Sequence, residues 1–405
     1  MAKLKNIELL RIIGCIAVVM IHICGSAGLY ANFDNIPLYS NLHLMTLNGQ
    51  KAVDLFFILS GFFFVYTFKN VTLWKFIKSK IIRLFPVLIF IVVLSFVIHC
   101  FGFIQWNYYD NLFAILGLNG SSLVIKRGMT AVEQFWYVSA MLWVLCLFLY
   151  LIKNYEKKTV NLIIFLTVFF CYSFLIHAKD GAINNSVQTF YYIFNVGMMR
   201  ALGGIGLGCL IGEWYKNNFE KIRGFVCNIY QKTLFTIMEF CCLYFIINNL
   251  TLHKIKYNND MIFILAFTGI IILFLTKKGY ISQILNDTKL GDIFTNLAKY
   301  TYSIYMLHIL VRSILVKNYW INKPTFIYQH PVLHIILIFT VVIAGGILIY
   351  HFVEKPCINY FKNKAQTGMV VERERERERV MSLLDYYNYK FLKIAKMNWR
   401  SCEIF

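Results

Sequence analysis

From Ile7 to Gly28 the chain reads I-E-L-L-R-I-I-G-C-I-A-V-V-M-I-H-I-C-G-S-A-G, long enough to cross a bilayer as one helix. Two of its residues, Arg11 and His22, are ones that hydrocarbon rejects. Successive helical positions turn by about 100°, so the spacing closes roughly three turns and puts both side chains on one face, about 16 Å apart along the axis. A charged group lies near the start of the span and a titratable one deep within it. A histidine bonded to a neighbouring helix and an arginine snorkelling to the headgroups would explain them as structure alone. Ionisable groups inside spans more commonly mark a pathway or a reaction site. Lys3 and Lys5, then the apolar run, then Gly25-Ser26-Ala27 imitate a signal peptide. Arg11 interrupts the run and further spans follow, so this stretch reads as an uncleaved first span.

The whole chain has the same character. Of 405 residues, 59% are hydrophobic and 15% charged, with a mean hydropathy of +0.61. That is far from the quarter or so of charged residues in a soluble domain and reads as an integral membrane protein. A formal net charge of +20 raises the question of nucleic acid. The lysines and arginines fall mostly in short loops between apolar runs, which is what membrane topology produces, and no nucleic-acid signature accompanies them. The eleven cysteines sit largely within apolar segments, form no CxxC pair, and include the adjacent Cys241 and Cys242. They read as small packing residues, neither a metal site nor a disulfide framework.

Windows of about 20 apolar residues predict an all-α, polytopic bundle of about ten transmembrane helices. They fall near 7–28, 47–68, 84–104, 130–152, 159–177, 190–213, 233–250, 260–276, 296–316 and 332–353. Basic residues concentrate on one set of loops, as in Lys69, Lys75, Lys78, Lys80 and Arg83 after the second span, which predicts both termini in the cytoplasm. The membrane domain is expected over 1–364, with 365–405 a cytoplasmic low-complexity tail. No loop is long enough to form a soluble domain, so the chemistry must lie within or beside the bundle. Leu112 to Leu118, in the segment 105–129, is the one stretch with the look of a partial or re-entrant span.

Polar residues recur inside the spans. Lys51 and Asp54, three apart, are expected to neutralise each other on one face. Ser60-Gly61 is a small notch in a run of Phe, suited to another helix or an acyl chain. Lys75 to Pro86, K-F-I-K-S-K-I-I-R-L-F-P, is a basic amphipathic stretch. It reads equally as a headgroup anchor and as a phosphate-binding surface in which Lys80 and Arg83 lie one turn apart. Glu133 opens the fourth span ahead of Trp136, Tyr137 and Ser139. Arg200 precedes Gly204, Gly208 and Gly212, a spacing of four that lets helices pack closely. Thr301, Tyr305, His308 and Arg312 form one polar stripe, expected to face the bundle interior, with His308 a neighbour of His22. Beyond Glu354-Lys355-Pro356, Glu and Arg alternate from Glu372 to Arg379, a solvated linker whose codons can form a GA dinucleotide tract. Slippage in such a tract would switch the reading frame; invariant tract length among single-colony isolates would refute this.

With these residues in view, the chain resembles the integral membrane acyltransferases of the acyltransferase 3 type over about residues 5 to 358. The resemblance rests on Arg11 and His22 in the first span, A-V-D-L-F-F-I-L-S-G-F from Ala52 to Phe62, and R-L-F-P from Arg83 to Pro86. It is extended by Y-S-I-Y-M-L-H from Tyr302 to His308, E-K-P from Glu354 to Pro356, and Arg200 with its following glycines. Many members carry Trp-Ser-Leu-Ser-x-Glu in the fourth span, whereas F-W-Y-V-S-A-M-L-W stands here, with Met141 near the expected acid, closer to an aromatic branch of the family. Lys80 stands where the family often has Arg, which forgoes bidentate contact with a phosphate.

The resemblance implies an O-acyltransferase of the bacterial cytoplasmic (inner) membrane. It would move an acyl group, acetyl being the common one, from cytoplasmic acyl-coenzyme A to a hydroxyl of a surface glycan or its lipid-linked precursor. No bound cofactor and no metal is expected; acetyl-coenzyme A or another acyl-coenzyme A enters as donor substrate. His22 then takes the role of general base, its ordinary pKa near 6.5 suiting the task. Arg11 binds or steers the donor, Lys80, Arg83 and Arg200 meet its phosphates, and Asp54, Glu133, Tyr305 and His308 are candidates on the acceptor side. Direct transfer and an acyl-histidine intermediate are both open. The expected partners are the bilayer, the carbohydrate acceptor and a separate periplasmic or glycan-assembly protein. A transporter or flippase, or a noncatalytic subunit of a polysaccharide pathway, would also use polar stripes and a basic loop, but no inverted repeat stands out.

Overall fold

The computed structural model describes residues 4–30, 46, 48–68, 71–104, 106–119, 132–178, 189–190, 194–252, 260–315 and 330–364. The Glu372–Arg379 repeat lies outside them. The chain groups into two compact units, Met1–Glu354 and Lys355–Phe405. In the second, the described residues 355–364 are helical.

The first unit is a bundle of helices. In chain order they are α1 (Lys5–Tyr30), α2 (Ala52–Tyr66) after a 3-10 turn at Gly49–Lys51, α3 (Leu73–Cys100), α4 (Tyr108–Ile115), α5 (Phe135–Asn154) and α6 (Lys157–Ala178). A two-residue antiparallel ladder, Thr189–Phe190 with Phe194–Asn195, leads into α7 (Val196–Gly224) and α8 (Ile229–Ile247). Then come α9 (Met261–Thr276), α10 (Tyr280–Asp287), α11 (Lys289–Ala298), α12 (Thr301–Leu315) and α13 (Pro331–Ile349). π-helical turns at Asn248–Leu252 and Tyr350–Glu354 extend α8 and α13. Starts are marked by side-chain caps: Thr72 accepts from the Lys75 amide, Asn107 from Tyr109, Asn195 from Met198, and Asn228 forms a reciprocal box with Gln231.

Among the described residues eight helices are long and apolar enough to cross a membrane, and nine if the bent pair α9 and α10, 62° apart, is one span. The protein is thus a multi-pass helical bundle. Two features depart from the window reading. The basic stretch Lys75–Pro86 is no separate surface helix but the first turns of the 28-residue α3. Pro86 lies inside that helix, as spans tolerate. Leu112–Leu118 falls on the short α4 and the turn after it, whose Gly117 carbonyl accepts from Ser139 and, at 2.9 Å, from Trp143 of α5.

The α2 and α7 helices form the centre, with 72% of each apolar window buried, against 22% in α8 and α13. Glycine explains their approach. A Cβ on Gly61 would strike the Ile205 carbonyl oxygen, and one on Gly208 the Ile58 carbonyl oxygen, so the two backbones touch. Gly204 lies on Phe57 and Gly212 on Val65, so the helices run parallel and in register. The Ser60-Gly61 notch is therefore filled by a helix, while the Ser60 hydroxyl meets that of Tyr137 at 3.1 Å. The outer ring turns side chains such as Phe96, Phe169 and Phe240 outward, where acyl chains would solvate them.

Candidate functional site

The polar face of α1 meets α12. The Cys15 thiol approaches the Thr301 carbonyl at 3.5 Å, and the rings of His22 and His308 have centroids 5.1 Å apart, tilted by 46°. Both contacts carry the same offset of 286 residues, so these helices too are parallel and in register. The expected stripe does face inward: Thr301, Tyr305 and His308 are buried and Arg312 partly so. His308 bonds through Nδ1 to the Tyr305 carbonyl, and Tyr305 donates its hydroxyl to the Gln134 carbonyl at 2.9 Å. Gln134 in turn donates to the Met306 carbonyl at 2.6 Å, clamping α5 onto α12. The Tyr137 ring stands 6.0 Å from Tyr305 and 4.7 Å from Phe57. Glu133, partly buried, is within electrostatic range of Tyr305.

Nearer the start of α1, Arg11 forms an ion pair with Glu8 at 2.7 Å, one turn back on the same helix. Arg83, on an exposed position of α3, is within electrostatic range of Arg11, Glu8, Glu354 and Tyr302. Tyr302 donates to the Leu84 carbonyl at 2.6 Å, fixing α12 against α3 at this level. Glu354 sits on the π-helical turn after α13 and accepts from Ser303 at 2.6 Å. Lys80 lies one turn before Arg83, 5.3 Å above the Phe76 ring. Two guanidinium groups and two carboxylates from three helices thus gather below the histidine pair, with Lys80 and Arg83 partly open. Such a cluster can bind a polyanion by exchanging its carboxylate partners for phosphate oxygens.

A second charge cluster lies at the head of α2, and here the expectation is corrected. Lys51 and Asp54 do not pair with each other. Lys51 reaches Asp260, the residue before α9, at 2.5 Å, while Asp54 takes Arg200 of α7 in a two-pronged contact at 2.8 and 3.1 Å. The guanidinium also donates to the Gln50 carbonyl at 3.3 Å and lies 5.7 Å from Trp136; Lys51 stands 4.5 Å over Phe263. The planar fork of Arg200 matches a carboxylate where an ammonium three residues away cannot, and burial leaves each charge in need of its best partner. Arg200 and Asp54, read from the resemblance as donor and acceptor residues, are here bound to one another in the core.

Glu8 and Glu239 carried no signal in the sequence. The first looks like an ordinary interfacial acid beside Arg11. The second is buried in the middle of α8 and accepts from the Ser282 amide at 3.2 Å, at the N-terminus of α10 after the bend.

Comparison with known proteins bears on the same residues. No curated protein and no solved structure gives a significant match. A family model described as an acyltransferase domain matches residues 4–351, which takes in the histidine pair, the cluster at the head of α2, Glu8, Arg11 and Arg83 of the other cluster, and all helices from α1 to α13. On that match, with its multi-pass bundle and the first-span arginine and histidine turned inward, the chain belongs to the acyltransferase 3 family of membrane acyltransferases.

Proposed function

We propose that the protein is an O-acyltransferase of the bacterial inner membrane that takes an acetyl group from cytoplasmic acetyl-coenzyme A and delivers it to a hydroxyl of a cell-surface glycan or its lipid-linked precursor. The observation that carries the reading is the polar interior along α1, with a cation cluster at one end and an imidazole pair about three turns further on. In this reading ten helices cross and both termini lie in the cytoplasm. The parallel pairing of α1 with α12 and of α2 with α7 supports it, because an odd number of crossings must separate parallel neighbours. The Arg11 and Arg83 end then faces the cytoplasm, where the donor is.

Lys80, Arg83 and Arg11 hold the donor phosphates, and the thioester extends along α1 towards His22. The base takes the acceptor proton as the hydroxyl oxygen attacks the thioester carbonyl, and the bond to sulfur breaks as coenzyme A leaves. Arg200 is not needed for the donor, since Asp54 engages it.

The test is transfer of label from radiolabelled acetyl-coenzyme A by purified protein in proteoliposomes supplied with native membrane lipids. Wild type is expected to consume thioester and label lipid-linked glycan, and a folded His22→Ala variant to do neither. Consumption by the variant at the wild-type rate would remove His22 from the chemistry. No consumption by wild type with acetyl- or succinyl-coenzyme A would overturn the acyltransferase reading itself.

A further inference from the structure

The histidine from α12 has a defined protonation pattern. His308 is fully buried, and its Nδ1 bonds to the Tyr305 carbonyl, which can only accept. The ring proton of neutral His308 therefore sits on Nδ1, and Nε2 carries a lone pair. Nε2 is buried and makes no hydrogen bond to any described group, an exception among buried polar atoms that asks for a role. The ring beside it is His22, at a centroid separation that lets two ring nitrogens reach hydrogen-bond distance after a small rotation. Catalytic hydrogen bonds are often long in the substrate-free enzyme and tighten when substrate binds.

We propose that His308 is the positioning residue of the first-span base: its Nε2 accepts the N–H of His22 and so turns the other nitrogen of His22, lone pair outward, to the acceptor hydroxyl. The inference rests on His22 being the base. It gives His308 the place that a carboxylate holds in a Ser-His-Asp arrangement, with the Tyr305 carbonyl behind it. In the step itself, the acceptor O–H proton passes to that second nitrogen of His22 as the oxygen–carbon bond forms. When the tetrahedral intermediate collapses, the carbon–sulfur bond breaks and that proton goes to the coenzyme A sulfur. The Nδ1 proton of His308 does not move, and its Nε2 keeps the His22 N–H throughout. A neutral acceptor suits this buried site, where a carboxylate would bring a second charge beside the donor.

The experiment compares His308→Ala, His308→Asn and His308→Gln with wild type and with His22→Ala, each checked by size exclusion, in thioester consumption with acetyl-coenzyme A and native lipid extract. The Gln amide oxygen can stand where Nε2 stands, whereas Asn reaches only the place of Nδ1. Loss of kcat by about 100-fold in the Ala and Asn variants, recovery to within about tenfold in the Gln variant, and an unchanged KM for acetyl-coenzyme A are expected. Nitrogen-15 spectra of histidine-labelled protein give a readout free of turnover: one neutral His308 tautomer with the proton on Nδ1, and His22 signals that move in the Ala variant and return in the Gln variant. His308→Ala with wild-type kcat, or a His308 proton found on Nε2, overturns the inference while leaving His22 as base. Wild-type consumption by His22→Ala overturns the base reading first.

Discussion

At the head of α2, Lys51, Asp54, Arg200 and Asp260 form two ion pairs whose side chains are each at most 4% exposed. At the start of α1, Glu8, Arg11, Arg83 and Glu354 bring together the same two cations and two carboxylates, yet Arg11 keeps 27% of its side chain open and Arg83 stands on an exposed position. The first cluster is closed: each cation has a carboxylate at contact distance, and the arginine adds a backbone carbonyl and an indole face. In the second, Arg11 contacts Glu8 on its own helix while Arg83 lies only within electrostatic range of Glu8 and Glu354, and both arginines keep surface open to another anion. Charge inside a membrane protein can thus serve as a rivet or as a receptor, and satisfaction of its partners separates the two.

Breaking the rivet should have the largest effect on stability. Arg200→Ala leaves Asp54 buried without its partner and is expected to cost about 3–5 kcal/mol, seen as loss of monodisperse protein in detergent or a much lower melting temperature. Replacing both partners, Asp54→Leu with Arg200→Met, should restore most of the loss, because buried pairs exchanged for apolar groups of similar size are often neutral. A double variant as unstable as the single one would contradict the rivet. Gly208→Leu should come next. Its side chain would enter the Ile58 backbone, an overpacking expected to cost about 1–3 kcal/mol or more in the same melting assay.

The proposed donor site should fail differently. Arg83→Ala is expected to leave melting unchanged and to raise the KM for acetyl-coenzyme A by about tenfold or more, the scale of one charge-assisted hydrogen bond. An acetylated pantetheine lacking the phosphates should show no such difference between wild type and variant. Equal effects on both donors would mean that Arg83 does not read phosphate. The smallest effect belongs to Lys5 and Asp292, an ion pair at 2.8 Å with 26% and 57% exposure. Asp292→Asn should change stability by less than about 1 kcal/mol and lose even that in high salt.

What the sequence reveals follows the same division. The inward face of α1, the stripe on α12 and the meeting of His22 with His308 were legible, because helical periodicity puts each polar set on one face and two such faces in a bundle have most to gain by meeting. The glycine spacing of α7 likewise announced close packing, though not that α2 would fill it. Partner choice among charges was not legible. Lys51 and Asp54 are neighbours by spacing, but each finds a better match on a helix far along the chain, and no one-dimensional rule sees Asp260 or Arg200. The short helices α10 and α11 escaped because windows tuned to spans skip elements of eight or ten residues.

The most direct measurement sets the two clusters side by side in one preparation: thioester consumption from acetyl-coenzyme A by His22→Ala and by the Asp54→Leu, Arg200→Met double variant, both shown to be folded. His22→Ala is expected to be inert and the double variant to turn over within about tenfold of wild type. A folded double variant without activity, beside a His22→Ala variant that retains it, would move the reaction centre to the head of α2 and contradict the account.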